Sequence, residues 1–306
     1  MVVNVSPSRP AAGACSSTQF VRLGLPPRGT SDPLPMSMEE ARARGWEELD
    51  VVFVTGDAYV DHPSFAMAIL GRVLEASGFR VGIVAQPDWH SCDAWKRFGR
   101  PKLFFAISAG NMDSMINHYT ANRKVRNDDA YSPGGRIGLR PDRATLAYCQ
   151  RAREAYKGVP VIAGGVEASL RRLTHYDYWS DTVLRSILLD SKADLLVYGM
   201  GESAIVEIAR RLQAGQSLRD LRDMRGVAYA LGAAEADGIR TRSASDGSVV
   251  VLPSYQEVKA DRGKFAEATR RIHLETNPYN AKTLVQWHDR QAVVCNPPPL
   301  PESQQS

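Results

Sequence analysis

Five short apolar runs, separated by stretches of helical periodicity, constrain this chain more than any other feature of its sequence. The first, Asp50-Val51-Val52-Phe53-Val54-Thr55-Gly56, is apolar without alternation and ends in glycine, the pattern of a strand covered on both faces. Arg80–Ala85, Lys102–Ser108, Val159–Ala163 and Ala193–Tyr198 repeat it. Between the first two, Phe65, Ile69, Val73 and Ala76 recur at three- or four-residue spacing, and Gly78 stops the helix they define. A capping box of Ser37 and Glu40 starts another helix that runs to Arg44. Further helices are predicted over Arg143–Lys157, over Asp181–Asp190, and where Ile205, Ile208, Ala209 and Leu212 share a face. The alternation predicts an α/β fold, a doubly wound parallel five-stranded sheet with right-handed crossovers.

The same reading sets the domain limits. Residues 1–33 are rich in Pro, Ser, Gly and Ala without apolar periodicity and are expected to form a disordered arm, since they cannot offset their ordering entropy. The parallel α/β domain occupies residues 34–226. Beyond Gly226, Val227–Ala230 and Ser248–Leu252 read as strands around Gly- and Asp-containing turns. A helix over Tyr255–Leu274 and a strand over Ala292–Cys295 follow, so residues 227–296 are read as a small α+β extension. Residues 297–306 open on three prolines and are read as a disordered tail.

Composition excludes several classes. Hydrophobic residues are 43% and charged residues 24%, as in ordinary folded domains. No run approaches the roughly 18 to 20 apolar residues of a spanning helix, and the N-terminus lacks the basic-then-apolar order of a secretory signal. The expected location is therefore cytoplasmic, with no membrane partner. The net charge of +4 is spread along the chain rather than gathered into a stripe, so a nucleic-acid partner is not expected. Cys15, Cys92, Cys149 and Cys295 stand 77, 57 and 146 positions apart, whereas zinc and iron–sulfur sites draw paired cysteines from one short loop. No metal site is expected.

In an open parallel sheet, ligands bind outside the carboxyl ends of the strands, so the loops there carry the chemistry. The loop after the first strand offers Gly56, Asp57, Asp61 and His62; the one after the third offers Asn111 and Asp113. The fourth strand ends in Gly164 and Gly165 with Glu167 close behind, and the fifth in Gly199, Gly201 and Glu202. The glycines let a flat or phosphate-bearing ligand approach bare backbone, although neither the dinucleotide fingerprint nor a P-loop is present. The segment His175–Asp181 packs imidazole, phenols and carboxylates into seven positions, so His175 and Asp177 join Asp57, Asp61 and His62 as candidate acids, bases or catalytic groups. Each of these residues also has a plain structural reading, as turn chemistry, a helix cap or an aromatic-rich surface. The charged stretch Asn122–Asp129 reads as a mobile or ligand-covering loop.

Taken together, Val54–Phe65, Ser108–Asn117, Gly164–Arg172 and His175–Asp181 resemble the N-terminal half of YgiQ-type radical SAM proteins. The similarity runs from Pro35 to Leu300 and includes His273–Pro278 and Asn296-Pro297-Pro298. It implies a downstream radical SAM barrel, the partner of this domain, whose C-x3-C-x2-C loop holds a 4Fe-4S cluster that reductively cleaves S-adenosylmethionine. No cysteine follows Cys295, as expected of a truncated product, half of a split enzyme or an excised domain. The glycine turns are also similar to the cobalamin-binding domains found ahead of many such barrels. Those domains offer a D-x-H-x-x-G loop, and here Tyr59 stands where its His belongs. Cobalamin is thus not expected, and no cofactor is assigned to this chain. The function implied is an accessory domain of a radical SAM enzyme of unknown substrate, with the loops Asp57–Ser64, Asn111–Asp113 and His175–Asp181 covering the barrel's active site. The alternatives are a stand-alone corrinoid- or nucleotide-binding module and a non-functional truncated fragment.

Overall fold

The structure, a computed structural model, describes residues 32–243 and 247–301. Cys15, all but the last two residues of the expected arm, and residues 302–306 of the expected tail lie outside the described residues. In chain order the elements are α1 (Met38–Ala43), β1 (Val51–Thr55), α2 (Ala66–Ala76), β2 (Val81–Ala85), β3 (Phe104–Ser108), α3 (Ser114–His118), α4 (Ala144–Ala155), β4 (Val161–Gly164), α5 (Gly165–Leu170), β5 (His175–Asp177), β6 (Thr182–Leu184), α6 (Ile187–Ser191), β7 (Leu195–Val197) and α7 (Glu202–Gln213). They continue with β8 (Val227–Leu231), α8 (Ala233–Ser243), β9 (Val249–Val251), α9 (Tyr255–Ala260), α10 (Arg262–Leu274), β10 (Thr283–His288) and β11 (Gln291–Cys295).

The strands at the five apolar runs lie side by side and parallel in the order β2-β1-β3-β4-β7. Their lack of alternation follows from burial on both faces. Val52, Val54, Phe105 and Ile107 enter one core with Tyr148, Cys149 and Ala152 of α4. Val51, Phe53, Phe104 and Ala106 enter the other with Met67 and Leu74 of α2 and Ile205 and Ile208 of α7. Helices on both faces take the strand side chains out of water, all but the half-buried Ala85, at about 25 cal/mol per Å² of apolar surface.

The sheet does not stop at five strands. It has nine among the described residues, continuing β7-β8-β11-β10-β9, with β8, β11 and β10 each antiparallel to the strand before. The limit drawn at Gly226 therefore falls between two paired strands, Leu196 facing Ala228 and Val197 facing Val227. The sequence pattern missed β10 because Gln286 and His288 interrupt its apolar run. Both are buried, and Gln286 satisfies itself by accepting from the Thr174 N–H and donating to the Pro253 carbonyl.

Three further expectations are corrected. Instead of a helix over Asp181–Asp190, β5 and β6 form an antiparallel ribbon, with Asp181 at φ +51° in its turn and β-branched Thr182 and Val183 beyond; only Ile187–Ser191 is helical. The helix over Tyr255–Leu274 breaks at Asp261, whose extended backbone caps α10 through the Gly263 N–H. Residues 297–299, read as the start of a disordered tail, are fastened to the domain. Gly226 N–H donates to the Pro297 carbonyl at 2.8 Å, Arg225 Nε to that of Pro298 at 3.0 Å, and Pro299 packs on Gly199 and Gly226.

A nine-stranded sheet that runs unbroken through both halves implies a single cooperative unit. Leu284→Ala in β10, at a buried position, is expected to cost about 2–5 kcal/mol and to shift one urea transition seen identically by tryptophan fluorescence and far-UV circular dichroism. Two separate transitions would contradict the continuity.

Candidate functional site

The loops after β1 and β3 are held together by a buried charge network. Arg140 has no exposed side-chain surface; its Nη1 donates to Asp57 Oδ1 at 2.7 Å and to the Ala109 carbonyl at 3.1 Å, and its Nη2 to Asp129 at 3.1 Å. Asp57 Oδ2 accepts from the Asn111 N–H at 2.6 Å. The glycines here are obligatory for a steric reason. A Cβ on Gly56 would sit 2.2 Å from the Ala109 carbonyl oxygen, and one on Gly110, at φ +118°, 2.1 Å from Asp57 Oδ1. Burial pushes the Asp57 carboxyl above its ordinary range, against the pull of Arg140 and Asn111. Burial acts the same way on Asp129, but the Tyr131 N–H, the Ser132 hydroxyl and Arg140 outweigh it and hold that carboxyl low.

Beside this network, Glu167 of α5 is buried and accepts from the Ser114 N–H at 2.9 Å and the Thr145 N–H at 3.0 Å. One carboxylate thus caps the first turns of both α3 and α4. Asp113 caps α3 through the Met115 N–H at 3.0 Å and pairs with Arg171. Asp177 accepts from Arg143 at 2.7 Å and from Ser180; burial raises its pKa, but these partners outweigh it and leave the carboxyl below the usual range.

Asp113, Arg171 and Asp177 line a cavity of about 440 Å³ formed by α3, α5 and the β5–β6 ribbon. Its wall is aromatic: the Tyr119 and Trp179 rings lie 4.1 Å apart between centroids, and the Arg123 guanidinium sits over Tyr178 at 4.9 Å. His175 lines it with Nδ1 at 3.1 Å from the Leu173 carbonyl, while its buried Nε2 has no partner among the described residues. Burial lowers the His175 pKa, so at neutral pH the ring is uncharged, and Nδ1–H donation to Leu173 leaves the buried Nε2 as an acceptor. The stretch Asn122–Asp129 is fastened rather than loose: Arg123 donates to the Tyr178 carbonyl at 2.8 Å and Arg126 to that of Ile116 at 3.0 Å.

A second cleft, of about 300 Å³, opens between α2 and α7 at the carboxyl ends of β1, β3, β4 and β7. Asn111, Gly164, Gly165, Gly199, Gly201 and Glu202 all line it. The two cavities share no lining residue.

The structure thus sorts the candidates. Asp113, His175 and Asp177 meet at the aromatic cavity, and the glycines with Asn111 and Glu202 at the cleft. Gly56, Asp57 and Glu167 are structural, their polar atoms spent inside the protein. Asp61 pairs with Arg72 and His62 accepts from the Ser64 N–H at 3.1 Å, both at the surface and in neither cavity. Arg140, Asp129, Arg143 and Arg171 were not anticipated. Arg140 stands next to Pro141 in a segment with no periodicity, and nothing local marks an arginine as fully buried.

A family model for the radical SAM N-terminal domain matches residues 33–306, and the chain belongs to the radical SAM N-terminal family. It is similar to a UPF0313 protein of Bradyrhizobium diazoefficiens, 54% identical over 90% of this chain and 42% of that protein. A UPF0313 protein of Geobacter sulfurreducens is 55% identical over 88% of this chain and 43% of its own length. The chain therefore spans well under half the length of these curated relatives. Among solved structures, the radical S-adenosylmethionine methyltransferase TsrM from Kitasatospora setae, with cobalamin and a 4Fe-4S cluster bound, matches at a TM-score of 0.39 and 15% identity, over 59% of this chain and 27% of that one.

The residues described do not suit a 4Fe-4S cluster. Cys149 is buried in α4 and Cys295 in β11, and burial pushes their thiols up to about 12 and about 11, far from the thiolate a metal requires. Among the described residues no three His, Cys, Asp or Glu side chains converge as a metal would need, and no helix is long and apolar enough to cross a membrane.

Arg140→Met is expected to leave Asp57 and Asp129 as uncompensated buried carboxylates and to cost about 3–5 kcal/mol in urea unfolding at pH 7; a loss under about 1 kcal/mol would show that the network does not hold the loops. His175 supplies a pH test. Its folded pKa lies below the ordinary 6.5, so its contribution to stability is complete above that pH and is lost as pH falls through the interval below it. His288, pushed down to about 4 by burial, acts with the same sign. His175→Gln is expected to flatten the acid-side decline without abolishing it, and an unchanged slope would contradict the assignment.

Proposed function

We propose that this chain is the accessory, substrate-shielding domain of a radical SAM enzyme, and that its carboxyl-end face packs against the catalytic half found in longer family members. The observation that carries the reading is the clustering of exposed apolar side chains around the aromatic cavity: Leu170 is 62% exposed, Tyr178 55% and Ile116 51%, with Tyr176 alongside and Met200 at the neighbouring cleft. Scattered surface apolars need no explanation, but a group rimming a polar-tipped cavity marks a covered surface. The ribbon that carries His175, Asp177 and Trp179 would be the part of this domain nearest the substrate. The 4Fe-4S cluster and S-adenosylmethionine belong, on this reading, to the catalytic half, and the domain supplies shape, exclusion of water and the His175 Nε2 acceptor. A cytoplasmic location accords with the free thiols of Cys92, Cys149 and Cys295.

The test uses a full-length relative. A photocrosslinking residue at the counterpart of Tyr176 is expected to join the domain to the catalytic half, whereas one at the counterpart of Lys157, exposed at the opposite end of the sheet, is not. Trp179→Ala and His175→Gln should each lower reductive cleavage of S-adenosylmethionine at least about tenfold with iron content unchanged. Equal crosslinking from both positions, or unchanged cleavage in both variants, would overturn the proposal.

A further inference from the structure

The cleft between α2 and α7 is a separate opening with its own chemistry. Its walls are apolar, with Phe53, Leu70, Val197 and Ile205 among the lining residues, and small residues line it where the flanking helices start, Ala66 as the first residue of α2 and Gly201 just before α7. Two polar features stand at its mouth. Neither α2 nor α7, of 11 and 12 residues, has a side-chain cap, so the first amides of both helices point their N–H bonds toward the same end as the opening. Glu202, half-buried in the first turn of α7, lines the cleft and has no hydrogen-bond or ion-pair partner among the described residues. An apolar slot framed by backbone donors and one unpaired carboxylate suits a flat ring that carries both acceptors and donors.

From this geometry we infer that the cleft is a binding site for an uncharged nucleoside, the base lying between Leu70 and Val197 and a ribose diol or exocyclic amine donating to Glu202. The volume of about 300 Å³ sits at the small end of ligand pockets, roughly 300–1,000 Å³, so a nucleoside enters whole while a dinucleotide or a corrin ring does not. Glu202 opposes a phosphate at the mouth, which sets a nucleoside above its 5′-phosphate. The site is independent of the aromatic cavity, and its failure would leave the docking of that face untouched.

Isothermal titration of the 306-residue chain with adenosine is expected to give a Kd below about 1 mM, with AMP weaker by about tenfold. Gly201→Phe tests the slot directly. Gly201 has φ −93°, and a Cβ there would make ordinary contacts of 3.6 Å with Val197 and 3.9 Å with Leu70, so the new ring enters the space assigned to the base without strain. It should abolish binding while the Tm stays within about 5 °C. Glu202→Gln should weaken adenosine about tenfold or more and shrink the preference over AMP. Absence of adenosine binding by the native chain, or binding unaffected in both variants, overturns the assignment. Should Gly201→Phe fail to fold, the Glu202→Gln titration decides.

Discussion

One guanidinium sealed from water holds the working end of this domain together. Arg140 bonds to Asp57, 83 residues earlier in the chain, and to Asp129, so the loop after β1 and the irregular segment between α3 and α4 meet at a fixed point. Desolvating three charges is costly, and an apolar cluster of the same volume would serve stability as well or better. What the ions add is registry: two carboxylates and a fork-shaped donor fit in one arrangement, whereas aliphatic chains slide. Gly56 and Gly110 are the steric counterpart of that precision, since the backbone must come within contact distance of the network on both sides.

With that point fixed, the remaining strand-end loops divide. On one side α3, α5 and the β5–β6 ribbon enclose the aromatic cavity with its neutral His175; on the other, α2 and α7 part to leave the glycine-edged cleft. The first is broad, aromatic and surrounded by exposed apolar side chains, as befits a surface that another body covers. The second is narrow and edged with backbone, as befits a small ligand. The two readings are compatible, since on the proposed function a domain packed against a catalytic half through one face keeps its flank open to a small molecule.

The parallel half of the fold was readable because burial on both faces leaves an unbroken apolar trace, and the glycines that line the cleft stood out as strand-end turns without marking a ligand. The rest was hidden for identifiable reasons. Gln286 and His288 disguise β10 by being polar and buried at once. His175-Tyr176-Asp177 and Thr182-Val183-Leu184 are three-residue strands, too short for a period of two to declare itself. Asp57 looked catalytic because its loop position is right, but its partner Arg140 lies in a segment where spacing carries no information, so the pairing that consumes it could not be foreseen. His62 and Asp61 sat in the same loop and point away from both cavities, since adjacency along a turn says nothing about which side a residue faces.

Glu167 has an evolutionary consequence. A single carboxylate that satisfies the starts of α3 and α4 at once leaves neither helix free to change its entry angle alone. Both bonds come from backbone amides, so the side chains at 114 and 145 can change beneath them, whereas shortening 167 by one methylene would release both. The starts of α3, α4 and α5 are therefore held in one arrangement, and a differently shaped cavity is reached through the side chains that line it, Tyr119, Leu170 and Trp179, with the frame behind them kept.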